Sequence, residues 1–400
     1  MPGGGATHLS PSVDAMRRLH EDTAPPMKTS RSTSRSLAAL RALCQLGLHA
    51  EVLVPAVLEA LHDVVPSHRN LFDWTDEQGR LVRYFIEGPI DAAVARLYFD
   101  EFHNRREAEA MQPFHSLHRA PRGVRGADEL DHPAFFRSAL YNEIWRPQGF
   151  HTRLEAVVRG TQGRLIGSLV LYRGPGDPRF TREDERRLAA VLPDLAAALE
   201  SHGPAVADDR HVPSHQPPQT LLLTLDGTVC HASPGAHAML LMAEGGASRD
   251  ALSKPLDALA GRLLPMLMAK LREHARSPLL ERTAPPPSIT HETPAGQFVA
   301  SGVLMRAFHG DAAPLAQVTL RRLEPHRVAL ARALRKLPLT PGQAAVCREL
   351  YHGHSHGEIG QRLGVATATV VDHVRKAYDQ LDVRSSLELR AALDTLITRG

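Results

Sequence analysis

The sequence predicts a multidomain protein in which two α+β domains precede an all-α domain of four helices. Three observations predict this architecture. The chain has 400 residues, more than one typical hydrophobic core organises. Before residue 325, stretches with an apolar residue at every second position recur beside stretches with helical spacing. Beyond that point the spacing is helical throughout, with short interrupting turns.

The first α+β domain is predicted for residues 35–200. Residues 1–34, which precede it, are rich in Gly, Pro, Ser and Thr, and we expect them to form a disordered leader. The domain opens with helical spacing and continues with two hairpins, the first of which turns at Gly79. Thr181 and Asp184 have the spacing of a capping box and predict where its closing helix begins.

The second, smaller α+β domain is predicted for residues 219–324. A polar, Pro-rich stretch without periodicity, residues 201–218, predicts a linker between the two domains. The pattern then gives two strands joined by an Asp-Gly turn, helical spacing over 250–275 interrupted at Pro265, and three strands. In element order the two domains resemble GAF-like and PAS-like sensor modules, which implies that they receive a signal such as an unidentified small-molecule effector.

Composition narrows the class of protein. Hydrophobic residues make up 43% of the chain and charged residues 23%, as in ordinary soluble proteins. Three scattered cysteines argue against a disulfide framework or a Cys-based zinc site. The N-terminus lacks the apolar core of a secretory signal, and no apolar run reaches the length of a membrane span. We therefore expect a cytoplasmic protein that does not contact a membrane.

The net charge of +3 is unevenly distributed. Residues 326–400 contain 11 Lys and Arg against 7 Asp and Glu, so this part carries a surplus of +4 and the preceding part sums to −1. A basic surplus confined to one end favours contact between that end and a polyanion.

Catalytic and cofactor motifs are absent from the sequence. It contains no phosphate-binding glycine loop, no HExxH and no paired nucleophile and base, so we expect no enzymatic activity and no cofactor. His352, His354 and His356 alternate along one turn, but no cysteine or carboxylate completes a metal ligand set, so solvated histidines are expected. Trp74 and Tyr84 lie on facing strands of the first hairpin and are interpreted as core residues, with a ligand pocket as the alternative.

Two capping boxes divide the C-terminal part into helices. Thr340 and Gln343 begin the first helix, and Ser355 and Glu358 begin the second. Gly364 ends the second helix after about two turns. A final apolar stretch, Leu387, Leu389, Ala392 and Leu396, predicts the last helix. The whole domain is expected to span residues 333–398 as a helix-turn-helix unit.

The third of these helices is predicted to begin near Thr367 and to have two unlike sides. On a helical wheel the core side carries Val370, Val374, Ala377 and Leu381. The opposite side carries Ala368, Val371, Asp372, Arg375 and Asp379. There Arg375 suits guanine, Asp372 suits the cytosine amino group and Val371 suits a thymine methyl group. Four flanking residues are placed to reach phosphates, namely Thr367, Thr369, His373 and Lys376.

The stretch LTPGQAAVCREL followed by GHSHGEIGQRLGVATATVVDHVRKAYDQLDVRSSLEL resembles the LuxR-type helix-turn-helix of bacterial transcription regulators. The chain departs from that pattern at Gly342, Ala345, Gly360, Ala366 and Val371. The last two stand where a capping serine and a basic residue are usual.

The resemblance implies a sequence-specific transcription regulator that binds double-stranded DNA as a homodimer, paired through residues 386–397, and contacts RNA polymerase. The DNA-binding residues it implies are Ser355, Thr367, Ala368, Thr369, Val371, Asp372, His373, Arg375 and Lys376. Three alternatives remain open: a sigma-like promoter-recognition factor, an enzyme domain fused to a DNA-binding tail, and an ordinary helical subdomain.

Overall fold

A computed structural model describes residues 30–112, 114–119, 123–201, 210–276, 284–306 and 313–399. The predicted disordered leader lies outside these ranges up to residue 29. Its last five residues already belong to the first helix, α1, Ser30–Cys44. Within the described ranges, no helix combines the length and apolarity that crossing a lipid bilayer requires.

A five-stranded antiparallel sheet organises the first part of the chain. Its strands are β1 Arg69–Thr75, β2 Leu81–Ile86, β3 Val124–Arg125, β4 Thr152–Arg159 and β5 Leu165–Arg173. They lie in the order β2-β1-β5-β4-β3. The helices around it are α1, α2 Ala50–Leu61, α3 Ala92–Leu97, α4 Ala127–Leu130, α5 Pro133–Arg137, α6 Arg182–Ala189 and α7 Leu192–Glu200, with π-helical segments at Tyr98–Phe102 and Leu140–Trp145.

Both predicted hairpins are present in this sheet, as β1 with β2 and as β4 with β5. Gly79 adopts the positive φ that the first turn requires. Thr181 and Asp184 form the capping box at the start of α6. The helical spacing that opens the domain belongs to two helices, because the chain turns between α1 and α2 at Gly47, whose φ is also positive.

A second antiparallel sheet follows. Its strands are β6 His211–Pro213, β7 Gln219–Leu223, β8 Val229–Ala232, β9 Ser288–Thr293, β10 Gly296–Met305 and β11 Leu315–Pro325, in the order β8-β7-β11-β10-β9 with β6 also paired to β11. Its helices are α8 Ala236–Ala243, α9 Arg249–Ser253 and α10 Leu263–Arg276. The strand β6 falls within the stretch that the sequence predicts as a linker.

The predicted interruption at Pro265 is wrong. Helix α10 runs through this proline, and the break lies before it, between α9 and α10. Pro265 occupies the first turn of α10, where a missing backbone N–H removes no intrahelical hydrogen bond.

One apolar cluster joins the two sheets. It contains Tyr84 and Trp145 from the first part of the chain and Leu221 and Phe298 from the second. A backbone bridge between Tyr84 and Ala247 connects the same two parts. The opposite face of the first sheet packs against α1, α2, α6 and α7 through a separate apolar cluster.

Five helices complete the chain: α11 His326–Lys336, α12 Pro341–Tyr351, α13 His356–Leu363, α14 Thr367–Leu381 and α15 Ser386–Arg399. They share a third apolar cluster. Of the apolar residues that predict the last helix, Leu387 is 75% exposed and Ala392 is also exposed. The buried residues of α15 are Leu389, Leu393 and Ile397, at intervals of four. Leu387 is rotated about 200° from Leu389 and cannot share its face.

Candidate nucleic-acid interface

The turn between α13 and α14 is fixed by short-range contacts. Ser355 and Glu358 form a capping box at the start of α13, with the Glu358 carboxylate accepting from the Ser355 backbone N–H at 2.7 Å. Gly364 ends the helix in the left-handed conformation, and the Val365 N–H then donates to the Gly360 carbonyl at 2.9 Å. A Cβ at Gly360 would lie 2.9 Å from the Val365 carbonyl oxygen, so a larger residue there requires the backbone of this turn to shift.

Helix α14 separates buried from exposed residues as the wheel predicts. Val370, Val374 and Ala377 are buried in the C-terminal cluster, and Leu381 is half-buried against it. Eight of the nine predicted DNA-binding residues lie on α14, and the ninth, Ser355, is exposed at the start of α13. The exposed ones on α14 are Thr367, Ala368, Thr369, Val371, Arg375 and Lys376.

Asp372 holds the two cations of this face. Its carboxylate accepts from Lys376 Nζ at 2.7 Å and from Arg375 Nη2 at 3.0 Å. The hydrogen bonds from Lys376 and then Arg375 lower the pKa of Asp372, so this side chain stays ionised. Exposed pairs of this kind contribute little to stability, which leaves both cations free to exchange the carboxylate for another anion.

His373 is less accessible than the wheel predicts. Its side chain is half-buried, and its ring lies beside the first turn of α12, where a Cβ at Gly342 would meet Nε2 at 3.0 Å. The absence of a side chain at Gly342, one of the departures from the LuxR-type pattern, therefore makes room for the histidine ring.

Glu349 links α12 to α13 and has no counterpart in the sequence prediction. It is 5% exposed, and its carboxylate accepts from Arg362 Nε at 2.6 Å. Burial opposes ionisation, but Arg362 and Arg348 outweigh it and lower the pKa of Glu349. The sequence did offer a signal for this residue. Glu349 is a charged residue on the buried side of α12, between Val346 and Leu350.

Helix α11 connects the C-terminal helices to both sheets. Arg332, 8% exposed, donates to Glu59 at the end of α2 at 2.8 Å and to Glu324 at the end of β11 at 2.9 Å. Arg335 also donates to Glu59, at 2.5 Å. Burial opposes ionisation of Glu59, but Arg332 and Arg335 outweigh it and lower its pKa. Sequence reasoning missed this cluster because Glu59 lies far from its partners along the chain.

No protein-family model matches the chain, and no curated protein matches it. Similar solved structures include the phycoerythrobilin-bound GAF domain of a cyanobacterial phytochrome, which is 15% identical with a TM-score of 0.27 over 44% of this chain and 97% of the other. The LuxR-type receptor VqmA of Vibrio cholerae is 16% identical with a TM-score of 0.19, over 45% of this chain and 84% of the other. The E. coli DhaR(N)–DhaL complex is 13% identical with a TM-score of 0.24, over 75% and 92%. These are partial resemblances and do not establish a family.

Proposed function

We propose that the chain is a sequence-specific transcription regulator that binds duplex DNA through helix α14. The observation that carries this proposal is the division of α14 into a buried apolar side and an exposed side bearing Val371, Arg375 and Lys376. A helix of this kind fits the major groove, where its exposed side chains reach base edges. The LuxR-type sequence pattern over the same residues supports it.

In this proposal the protein acts by binding and not by catalysis. Helix α13 crosses the phosphate backbone and α14 enters the groove, with Ser355 and Lys376 on phosphates and Arg375 on a base. Two copies bind related half-sites, and the bound dimer contacts RNA polymerase. Since α11 is ion-paired to Glu59 and Glu324, a signal received by either α+β part reaches the DNA-binding helices through this junction.

The test is selection of duplex DNA from a random library by the full-length protein. We expect enrichment of one motif with two-fold symmetry, whose half-sites are bound by a dimer. Affinity should fall steeply with salt, because cations released from the DNA dominate the binding free energy. Selection of no motif from the library contradicts the proposal.

Two substitutions test the role of α14. Arg375→Ala should cost about 1–3 kcal/mol of binding free energy and relax the preference for one base of the motif. Lys376→Ala should weaken binding to all sequences equally and reduce the slope of log affinity against log salt concentration by about 1. Arg186→Ala is the matched control, because Arg186 is an exposed helical arginine in α6 that pairs with Glu183 at 2.8 Å. Unchanged affinity in both α14 variants, or equal loss in the control, contradicts the assignment of this face.

A further inference from the structure

A cavity of about 150 Å³ lies on the inner face of the first sheet. Its floor is formed by strands β1, β2, β4 and β5, and its cover by α3 and the two π-helical segments. Aromatic side chains supply much of the wall, among them Tyr84, Tyr98, Phe99, Trp145 and Tyr172. An engineered cavity of about this volume in another protein holds one benzene molecule, so this one accommodates a single ring with a short substituent.

One carboxylate in this cavity lacks a cation. Asp73, 8% exposed, accepts from Ser168 Oγ at 2.9 Å and has no ion-pair partner among the described residues. The second carboxylate, Glu155, is already paired with Arg153 at 2.6 Å and with Arg125 at 3.4 Å. Asp73 is therefore the carboxylate of this cavity that a cationic ligand can pair with.

The surroundings of Asp73 disfavour its ionised form. Burial, assisted by the charges of Glu155 and Glu107, raises the pKa of Asp73 to about 7, although the hydrogen bond from Ser168 acts in the opposite direction. A buried carboxylate of this kind is costly unless a cation or several donors accompany it. A ligand that brings a cation would supply the missing partner.

We propose that this cavity binds a small monocyclic aromatic primary amine, with the ammonium group on Asp73 and the ring among Tyr84, Trp145 and Tyr172. An ammonium group beside a buried carboxylate makes a short, charge-assisted hydrogen bond. The surrounding rings add cation–π attraction and apolar contact. An anionic ligand of the same shape would face the Asp73 carboxylate, while Arg125 in the cavity wall is already paired with Glu129 and Glu155. This binding goes beyond the proposed function, and its test involves no DNA.

The experiment is calorimetric titration of the full-length protein with benzylamine, benzyl alcohol and benzoate, three probes with the same ring and different charge. We expect one benzylamine per chain, bound at least about tenfold more tightly than benzyl alcohol, and no binding of benzoate. Equal affinity for the amine and the alcohol, or preference for benzoate, overturns the proposal.

Three variants locate the site. Asp73→Asn keeps the shape of the side chain and should bring the dissociation constants for benzylamine and benzyl alcohol within about twofold of each other. Glu77→Gln is the matched control, since it removes one carboxylate from the exposed turn of the same hairpin and should leave the preference intact. Ala95→Leu fills the cavity from helix α3 and should abolish binding of both compounds. Circular dichroism and thermal unfolding check that each variant is folded, and benzylamine binding unchanged in Asp73→Asn or in Ala95→Leu overturns the proposal.

Discussion

The two sheets have the same strand order and different interiors. The order is β2-β1-β5-β4-β3 in the first sheet and β8-β7-β11-β10-β9 in the second, where β6 pairs in addition with β11. A row across the middle of the first sheet reads Tyr84, Asp73, Ser168 and Val157. A row across the second reads Ala232, Leu221, Val318 and Gly302. Three of the four residues in the first row are polar or aromatic, whereas all four in the second are small or aliphatic.

The two sheets also differ in how closely helices pack on them. Over the second sheet, α10 approaches so closely that a Cβ at Gly302 would lie 2.7 Å from Leu271 Cδ1. Over the first sheet, the cavity beside Asp73 lies between the strands and the two π-helical segments. The same order of five strands thus goes with close packing of α10 on the second sheet and with a cavity over the first. Strand order alone therefore does not determine where a cavity forms.

The largest expected effect comes from placing the polar residue of the first sheet in the second. Leu221→Asp puts a carboxylate at a fully buried position of the filled core, without a cation or donor to receive it. We expect the second sheet to unfold, with a loss of more than about 4 kcal/mol, measured by circular dichroism and thermal melting. Val303→Asp, at an exposed position of the same sheet, is the control and should melt like the wild type. A stable Leu221→Asp protein would show that the two interiors are interchangeable.

Equal truncations on the two sheets should have unequal costs. Phe298 is 2% exposed in the filled core, so Phe298→Ala should cost about 3–5 kcal/mol of unfolding free energy. Phe99 borders the existing cavity, so Phe99→Ala removes fewer contacts and should cost roughly half as much. Urea unfolding measures both values, and an equal loss in the two variants would argue that the first cavity is as tightly packed as the second core.

Sequence patterns predicted much of the local structure and little of this contrast. Alternation and capping residues specify the hairpins and helix starts, because those features depend on neighbours a few residues apart. Alternation also places Trp74 and Tyr84 on opposite faces of the first sheet, and only Tyr84 lines the cavity. Tyr84 is both a buried core residue and part of the cavity wall, so for this residue the core interpretation and the ligand-pocket alternative hold together.

The missed residues depend on long-range contacts. Asp73 is polar in a strand that otherwise reads as half-buried, but its neighbour Ser168 belongs to another hairpin. Glu59 meets Arg332 only after the chain has passed through both sheets. The face of α14 was predictable, since helical geometry alone fixes which side chains lie together. The DNA-binding role of that face stays a prediction.

The free energy of unfolding of the Asp73→Asn variant should exceed that of the wild type by an amount that grows as pH rises. The pKa of Asp73 is about 7 in the folded chain and about 3.8 as a free side chain, so the native state binds the proton more tightly. The contribution of Asp73 to the stability of the wild type is therefore fully present below the unfolded pKa. It is lost as pH rises toward and through 7. Asparagine does not titrate, so the variant should equal the wild type near pH 4 and exceed it by at most about 4 kcal/mol at pH 8. Urea unfolding followed by tryptophan fluorescence checks this, and an advantage that is the same at both pH values argues against a raised pKa.

The smallest effect concerns the one hydrogen bond that the Asp73 carboxylate receives from Ser168. Removing this donor by Ser168→Ala should raise the pKa of Asp73 further, because the hydroxyl stabilises the charged form. The cost should be about 1–2 kcal/mol at pH 8, where Asp73 is ionised, and smaller at pH 5, where it is protonated. The control is Ser168→Ala in the Asp73→Asn background, where the same substitution should have no pH dependence, since no charge remains for the hydroxyl to stabilise. If the pH dependence persisted in that background, Ser168 would act on another group, and Asp73 would not be the residue that distinguishes the first sheet from the second.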